Sequence, residues 1–88
     1  MHESKIAEYV LEILKETADS DDDLRGKDVK KITFSQGIPP FVVPDSFEFY
    51  FTELIRGTQF ENAAFEYLTD EGDLSGGFYI QSIETMED

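Results

Sequence analysis

The first three residues, Met1-His2-Glu3, carry the groups whose spacing best suits metal chemistry. His2 is the only histidine in the 88-residue chain, and it follows the α-amino group of Met1. That amine and the amide nitrogen of His2 can close a five-membered chelate ring, and the same amide and the imidazole can close a six-membered one. The amide or carboxylate of Glu3 would complete a set of four ligands. Nitrogen-rich, tetragonal coordination of this kind favours Ni(II) or Cu(II).

The chemistry of this candidate site predicts how it should respond to processing and to pH. We expect Met1 to be retained, because N-terminal methionine is usually removed only before small residues. Amide ligation requires deprotonation, so metal binding should weaken as the pH falls, and protonation of the imidazole adds to this effect. The alternative interpretation is that His2 is only a solvated side chain near a frayed chain end.

The composition indicates one small acidic domain with an aromatic core. The chain has a net charge of −13, and its eight Phe and four Tyr provide enough apolar surface for a core. An acidic surface argues against binding to nucleic acid or to anionic membranes, which attract basic residues. The same charge suits a basic partner or cations.

Cysteine usage and hydropathy predict a cellular compartment. The chain contains no cysteine, so it can form neither a disulfide nor a thiolate metal site. No apolar run approaches the roughly 18 residues that a bilayer-spanning helix needs. The N-terminus also lacks the basic and apolar regions of a signal peptide. We therefore expect a cytoplasmic protein that makes no membrane contact.

A helix over residues 4–18 is predicted to carry the candidate site at its head. Apolar side chains recur there at the helical period, and Tyr9 lies beside them. The predicted buried stripe consists of Ile6, Val10, Ile13, Leu14 and Thr17. The acidic segment 19–28 that follows starts like a calcium loop, but Leu24 and Lys30 replace the Gly and Glu that such a loop requires. A solvated connection is therefore predicted there.

A strand, an extended segment and a second helix are predicted next. Residues 29–36 alternate apolar and polar side chains, as a strand does. The apolar segment 38–43 contains two prolines and should be extended. Pro44 suits the first turn of a helix that runs to about Arg56 and stops at Gly57. The predicted buried stripe of this helix consists of Phe47, Tyr50, Phe51, Leu54 and Ile55.

Two further strands complete the predicted fold. They cover residues 63–68 and 78–83, and the turn-forming cluster 70–73 lies between them. A helix between the first two strands permits a parallel crossover, whereas the short turn between the last two predicts an antiparallel hairpin. The order helix-strand-helix-strand-strand predicts an α/β (α+β) fold, a two-layer sandwich of two helices on a mixed three-stranded sheet. The sequence pattern does not determine the strand order.

Five segments of the chain, taken in order, are similar to those of one protein family. Met1-His2-Glu3 is followed by an amphipathic helix, and a strand ends at Gly37. A helix that begins at Pro then carries the aromatic-rich pattern of residues 50–58. Strands similar to residues 62–67 and 75–84 follow. In these respects nearly the whole chain resembles the HypA/HybF family of nickel-incorporation accessory proteins for hydrogenase and urease.

The resemblance implies a function and a set of ligands. It implies that residues 1–88 form a single HypA-like nickel-binding domain, in which Met1 through its amine, His2 and Glu3 bind Ni(II). It also implies a cytoplasmic metallochaperone for the maturation of hydrogenase or urease. Such a protein would work with a nickel-delivery GTPase and a nickel enzyme precursor, and it would not be an enzyme.

The chain departs from the family pattern between the second and third strands. Full-length family members insert a zinc domain with two Cys pairs at this point. Here a short turn near residues 69–74 takes its place. Structural zinc needs four thiolate or imidazole ligands, and this chain has no Cys and one His, so we expect no zinc site.

Two other functions remain open from the sequence. A carboxylate pair such as Glu48 and Glu53 could act as general acid and base, but chance pairs are common among 20 acidic residues, and no catalytic residues are predicted. The stronger alternative is a metal-free interaction or regulatory module on the same fold. Exposed strand edges and the apolar segment 38–43 would then bind a partner or form a homodimer. The competing expectation is that segment 38–43 packs over the sheet.

Overall fold

Two helices and three strands follow one another in the order that the sequence predicts. The computed structural model describes residues 3–86. Its elements are α1 (Glu3–Ser20), β1 (Val29–Gln36), α2 (Pro44–Leu54), β2 (Ala64–Thr69) and β3 (Phe78–Thr85). None of the helices in this part of the chain is long and apolar enough to cross a membrane.

The sheet is mixed, with β1 at its centre and the strand order β2-β1-β3. β2 runs parallel to β1, with Lys31 opposite Ala64, as the predicted crossover through α2 requires. β3 runs antiparallel to β1, with Gln36 opposite Phe78. The predicted α+β sandwich with a mixed three-stranded sheet is therefore confirmed.

The predicted hairpin between the last two strands is wrong, because β2 and β3 lie on opposite sides of β1. The connection between them, residues 70–77, crosses the end of β1 instead of turning back on β2. Asp70 N–H donates to the carbonyl of Gln36, and Ile38 N–H donates to the carbonyl of Asp73, each at 2.8 Å. These bonds satisfy the crossing backbone, so a short connection can span the central strand.

Phe34 of β1 is the centre of the core. It is fully buried, and its ring lies 5.5 Å from Phe47 of α2 and 5.1 Å from Phe78 of β3. Ring contacts of this kind stabilise the core beyond the burial of apolar surface, because aromatic pairs prefer particular relative orientations. Phe47 also lies 5.6 Å from Phe78, so α2 and both of these strands share one cluster.

The buried face of α1 differs from the predicted stripe. Its buried residues are Ile6, Ala7, Val10, Leu14 and Ala18. Thr17 is exposed, and its hydroxyl donates to the carbonyl of Ile13 at 2.8 Å, so its inclusion in the stripe was wrong. α1 packs against α2. Alanine side chains are small enough to let two helices approach closely, and hydropathy alone does not predict that they are buried here.

α2 has a narrower buried face than the sequence predicts. Phe47 and Phe51 are buried, as is Ile55 just beyond the helix. Tyr50 and Leu54 are exposed, contrary to prediction. The helix also ends two residues before Arg56, at Leu54.

The sheet face opposite the helices is polar and completes the two-layer arrangement. Lys31 on the central strand pairs with Glu66 on β2 at 3.0 Å and with Glu84 on β3 at 4.0 Å. Hydrogen bonding to Glu66, followed by the charge of Glu66, raises the pKa of Lys31. Exposed ion pairs of this kind contribute little to stability. The stability of the fold therefore comes mainly from the apolar face of the sheet, which packs against the helices.

Segment 38–43 is anchored to β1 through Val42. Val42 is buried, and the Gln36 side chain makes hydrogen bonds to both of its backbone groups, at 2.9 Å and 3.1 Å. Ile38, Phe41 and Val43 are exposed. The expectation that this apolar segment packs over the sheet therefore holds for Val42 and fails for its exposed neighbours.

Candidate functional site

Glu3 is the one predicted metal ligand that the structure describes. It is the first residue of α1 and is partly buried. It is an acidic residue in the first turn of the helix, near the positive end of the helix dipole. Met1 and His2 lie outside the described residues, so the predicted roles of their amine and imidazole stay predictions.

The helix that carries Glu3 is firmly placed in the fold. Ala7 and Leu14 of α1 are fully buried, and the helix packs against α2. A ligand at the end of a packed helix keeps its position better than one on a loop. Glu3 is therefore held at a defined place in the fold.

Within residues 3–86, no three His, Cys, Asp or Glu side chains come together in a way that could hold a metal ion. The acidic segment after α1 makes local bonds instead. Asp21 accepts the backbone N–H of Asp23 at 2.9 Å, and Asp22 pairs with Arg25 at 2.8 Å. Both bonds are exposed to solvent, as expected for the solvated connection predicted from the sequence.

Glu48 and Glu53, the carboxylates considered as an acid–base pair, are engaged by different neighbours. Tyr67 O–H donates to Glu48 at 2.8 Å, and Arg56 pairs with Glu53 at 2.9 Å. Burial raises the pKa of Tyr67, and its hydrogen bond to Glu48 raises it further. The Glu48–Tyr67 contact therefore joins α2 to β2 with a neutral phenol and serves the architecture.

Asp73 organises the 70–77 connection, which occupies the position of the predicted short turn. Its carboxylate accepts hydrogen bonds from the Ser75 hydroxyl and from the Ser75 backbone N–H. These bonds, with the side-chain bond foremost, lower the pKa of Asp73. A Cβ on Gly37 would lie 2.2 Å from the Asp73 carbonyl oxygen, so the connection packs directly on the end of β1.

An apolar groove of about 780 Å³ separates α1 from β3. On one side it is lined by α1 residues that include Tyr9 and Ile13, and on the other by β3 residues that include Ile80 and Ile83. Phe41 of segment 38–43 also contributes to the lining. The groove begins at Lys5, two residues after Glu3, so it shares a helix with the candidate metal ligand.

Sequence reasoning did not predict this groove. One signal was available, because Tyr9 lies beside the apolar stripe of α1 and continues it towards solvent. The other wall could not be predicted, since it depends on β3 lying at an edge of the sheet. That position follows from pairing between distant segments.

The fold defines a class of protein that is already known from experiment. The solution structure of the Ni metallochaperone HypA from Helicobacter pylori matches this fold with a TM-score of 0.72. The alignment covers 100% of both chains at 11% sequence identity. At this identity the similarity shows a shared fold and nothing finer.

The sequence identifies the family. The pattern of the family described as "Hydrogenase/urease nickel incorporation, metallochaperone, hypA" matches residues 1–75. This match spans most of the 88 residues, and the chain therefore belongs to the HypA family. The family consists of metallochaperones that act in nickel enzyme maturation, not of enzymes. No curated protein matches the sequence at a significant level.

Proposed function

We propose that this protein binds Ni(II) through the Met1 amine, the amide and imidazole nitrogens of His2, and Glu3. We further propose that it carries the ion towards the maturation of a nickel enzyme, either hydrogenase or urease. The observation that carries this proposal is the family match, which begins at Met1 and describes nickel incorporation.

The donor chemistry of the chain start suits this cargo. An amine, a deprotonated amide and a neutral imidazole are nitrogen ligands, which Ni(II) accepts in tetragonal geometry. Glu3 can add an amide nitrogen or a carboxylate oxygen from the head of α1. Such a site binds and releases an ion without a nucleophile or general base, as delivery requires.

The whole 88-residue chain is proposed to act as one nickel-binding domain without zinc. The 70–77 connection takes the place at which the family's zinc domain would be inserted. Two observations support this assignment: the connection is tied to the end of β1 by backbone hydrogen bonds, and the chain has no Cys. Metal analysis of the purified protein should accordingly find no zinc that resists dialysis.

The family assignment also supports a proposal about partners. Nickel incorporation requires a recipient, so we place the protein in the cytoplasm beside the precursor of a nickel enzyme, with a GTPase as intermediary. A pull-down with the purified GTPase, with and without Ni(II), tests this step. Equal recovery in both states would contradict a nickel-dependent hand-over.

Calorimetric titration with Ni(II) tests the binding proposal. Untagged protein should bind one ion, whereas the His2→Ala variant and a form extended at the N-terminus should bind far more weakly. Glu3→Gln serves as a graded control, because it removes the carboxylate charge and keeps the backbone amide. If all four proteins bind alike, or none binds, the proposed site is wrong.

A metal-free interaction module is the second candidate function. The apolar groove between α1 and β3 favours it, because such a surface can bind a protein partner without any metal. The same titration separates the two candidates. A protein that fails to bind nickel while keeping its fold would support the adaptor function.

A further inference from the structure

The groove between α1 and β3 has exposed aromatic side chains in its lining. Tyr9 and Phe41 line it and are 65% and 50% exposed. Lys5 is the only charged residue in the lining, within the part of the chain that the structure describes. Exposed apolar patches that are this continuous mark interaction sites more often than they mark ordinary surface.

The floor of the groove ends at an open sheet edge. β3 pairs with β1 on one side only, within the described residues. Gly37 N–H donates to the Gly77 carbonyl at 2.9 Å. Because hydrogen-bonded and non-hydrogen-bonded pairs alternate in an antiparallel ladder, Phe78 and Ile80 direct their N–H and C=O groups away from β1. The edge therefore offers backbone donors and acceptors beside an apolar groove.

A shift in register limits how far this edge extends. The pairing of β3 with β1 is irregular between Ser82 and Ile80, which leaves Gln81 as a bulge. Bulges break the regular ladder and turn an edge strand aside. The available edge is therefore short and begins where the groove is lined by aromatic side chains.

The charge around the groove selects the kind of occupant. Glu12 and Glu16 are exposed and adjoin the groove-lining Ile13 and Thr17 on α1. Three exposed aspartates, residues 21–23, precede the groove-lining Leu24. A second copy of the chain would bring another net charge of −13 to this rim. A basic segment would instead be attracted to it.

We propose that an extended, basic segment of a partner protein adds to β3 as a further strand. Its backbone pairs with Phe78 and Ile80, and its alternate apolar side chains enter the groove. Its Lys or Arg side chains point to the other face of the sheet, and the net charge of −13 attracts them to the protein. The proposed strand pairing uses none of the proposed nickel ligands. It can therefore be tested in metal-free protein whether or not the nickel proposal holds.

A synthetic peptide of about ten residues that alternates valine and lysine is the probe. Titration into isotope-labelled, metal-free protein should slow the amide hydrogen exchange of Phe78 and Ile80 by about tenfold or more at saturation. Binding should weaken as salt concentration rises, because the attraction between the basic peptide and the acidic protein is screened. A matched peptide with glutamate in place of lysine should not bind.

Two N-methylated versions of the peptide test the strand geometry itself. One carries the methyl groups on its valine amides and the other on its lysine amides. Since alternate residues of a strand point their amides to opposite edges, only one version should lose binding. If both bind as the parent peptide does, or if the lysine peptide does not bind up to millimolar concentration, strand addition is wrong.

Protein variants locate the binding surface. Tyr9→Ser removes an exposed aromatic wall of the groove and should weaken the peptide by about tenfold. Phe49→Ser is the matched control, since Phe49 is 73% exposed on α2 and lies outside the groove lining, and it should leave the affinity unchanged. Equal weakening in both variants would overturn the proposal. So would concentration-dependent protection of Phe78 without peptide, which would identify a second copy as the occupant.

Discussion

The two edge strands of the sheet differ in how closely a helix packs against them. At the β2 edge, Phe65 packs 5.5 Å from Phe51 of α2, and Tyr67 donates a hydrogen bond to Glu48 of the same helix. At the β3 edge, α1 leaves a groove of about 780 Å³ lined by exposed aromatic side chains. α2 therefore packs on the inner face of β2, whereas the groove leaves the inner face of β3 partly uncovered.

The same contrast separates the regions that carry stability from those that carry the proposed binding sites. α2 and β2 enclose the aromatic cluster around Phe34, whereas α1 bears Glu3 at its head and the groove along its side. Substitutions around the cluster should therefore lower the free energy of unfolding. Substitutions on the exposed face of α1 should change binding and leave folding nearly unchanged.

Truncation of Phe34 should have the largest effect. Phe34→Ala removes a fully buried ring between both layers and should cost about 3–5 kcal/mol of unfolding free energy. Tyr9→Ser, at an exposed ring, should stay within about 0.5 kcal/mol of the parent. Urea denaturation measures both values. Similar losses of unfolding free energy in the two variants would contradict the proposed separation between the core cluster and the exposed face of α1.

Gly37→Ala tests how tightly the 70–77 connection packs on β1. The added Cβ would meet the Asp73 carbonyl oxygen at 2.2 Å, so backbone must move. A loss of about 1–3 kcal/mol is expected, as for overpacked sites. Gly72→Ala is the control in the same connection, because its Cβ would meet only a side-chain oxygen at 3.3 Å. Equal stability of the two variants in urea would contradict this packing.

Gln36→Leu tests the anchor of segment 38–43. It leaves the buried N–H and C=O of Val42 without their side-chain partner, which should cost about 1–3 kcal/mol. Amide exchange at Val42 should accelerate accordingly. Gln81→Leu, at an exposed position on β3, should have little effect on either quantity. Unchanged exchange at Val42 would show that the segment is held by other contacts.

Tyr67→Phe should lower the free energy of unfolding at neutral pH by about 1 kcal/mol, from the lost bond to Glu48. Because burial raises the pKa of Tyr67, the folded protein keeps the phenol neutral while the unfolded chain ionises it. The parent should therefore lose stability as pH rises above about 10, and the variant should lose less.

Tyr79→Phe serves as the control for this pH dependence. The Tyr79 hydroxyl is exposed and bonds to Asp70 at 3.2 Å. Denaturation curves of the parent and of both variants, recorded between neutral and alkaline pH, compare the two hydroxyls. If Tyr67→Phe keeps the parent slope, the link between α2 and β2 does not depend on a neutral phenol.

Local patterns predict the elements of this fold well, and non-local contacts explain the failures. Alternation of apolar and polar side chains gave β1 its bounds, Val29–Gln36. The hairpin prediction failed because strand order depends on what pairs with β1. The prediction of the buried stripe of α1 was wrong at Thr17, which is exposed, whereas Ala7 and Ala18 are buried.

The two candidate sites also differ in how far the local sequence predicts them. The proposed ligands Met1, His2 and Glu3 are adjacent in sequence, so chelate chemistry and family resemblance were sufficient to predict them. The groove needs α1, Phe41 and β3 at a particular separation. No local pattern encodes that separation, and only the structure reveals the groove.

X-ray absorption at the nickel edge tests the central claim most directly. The untagged protein, loaded with one equivalent of Ni(II), should show a shell of nitrogen and oxygen ligands with the outer scattering of one imidazole and no sulfur. The His2→Ala variant should lose the imidazole signal. A spectrum that matches nickel in water, or one that is unchanged by His2→Ala, would contradict nickel binding at the chain start.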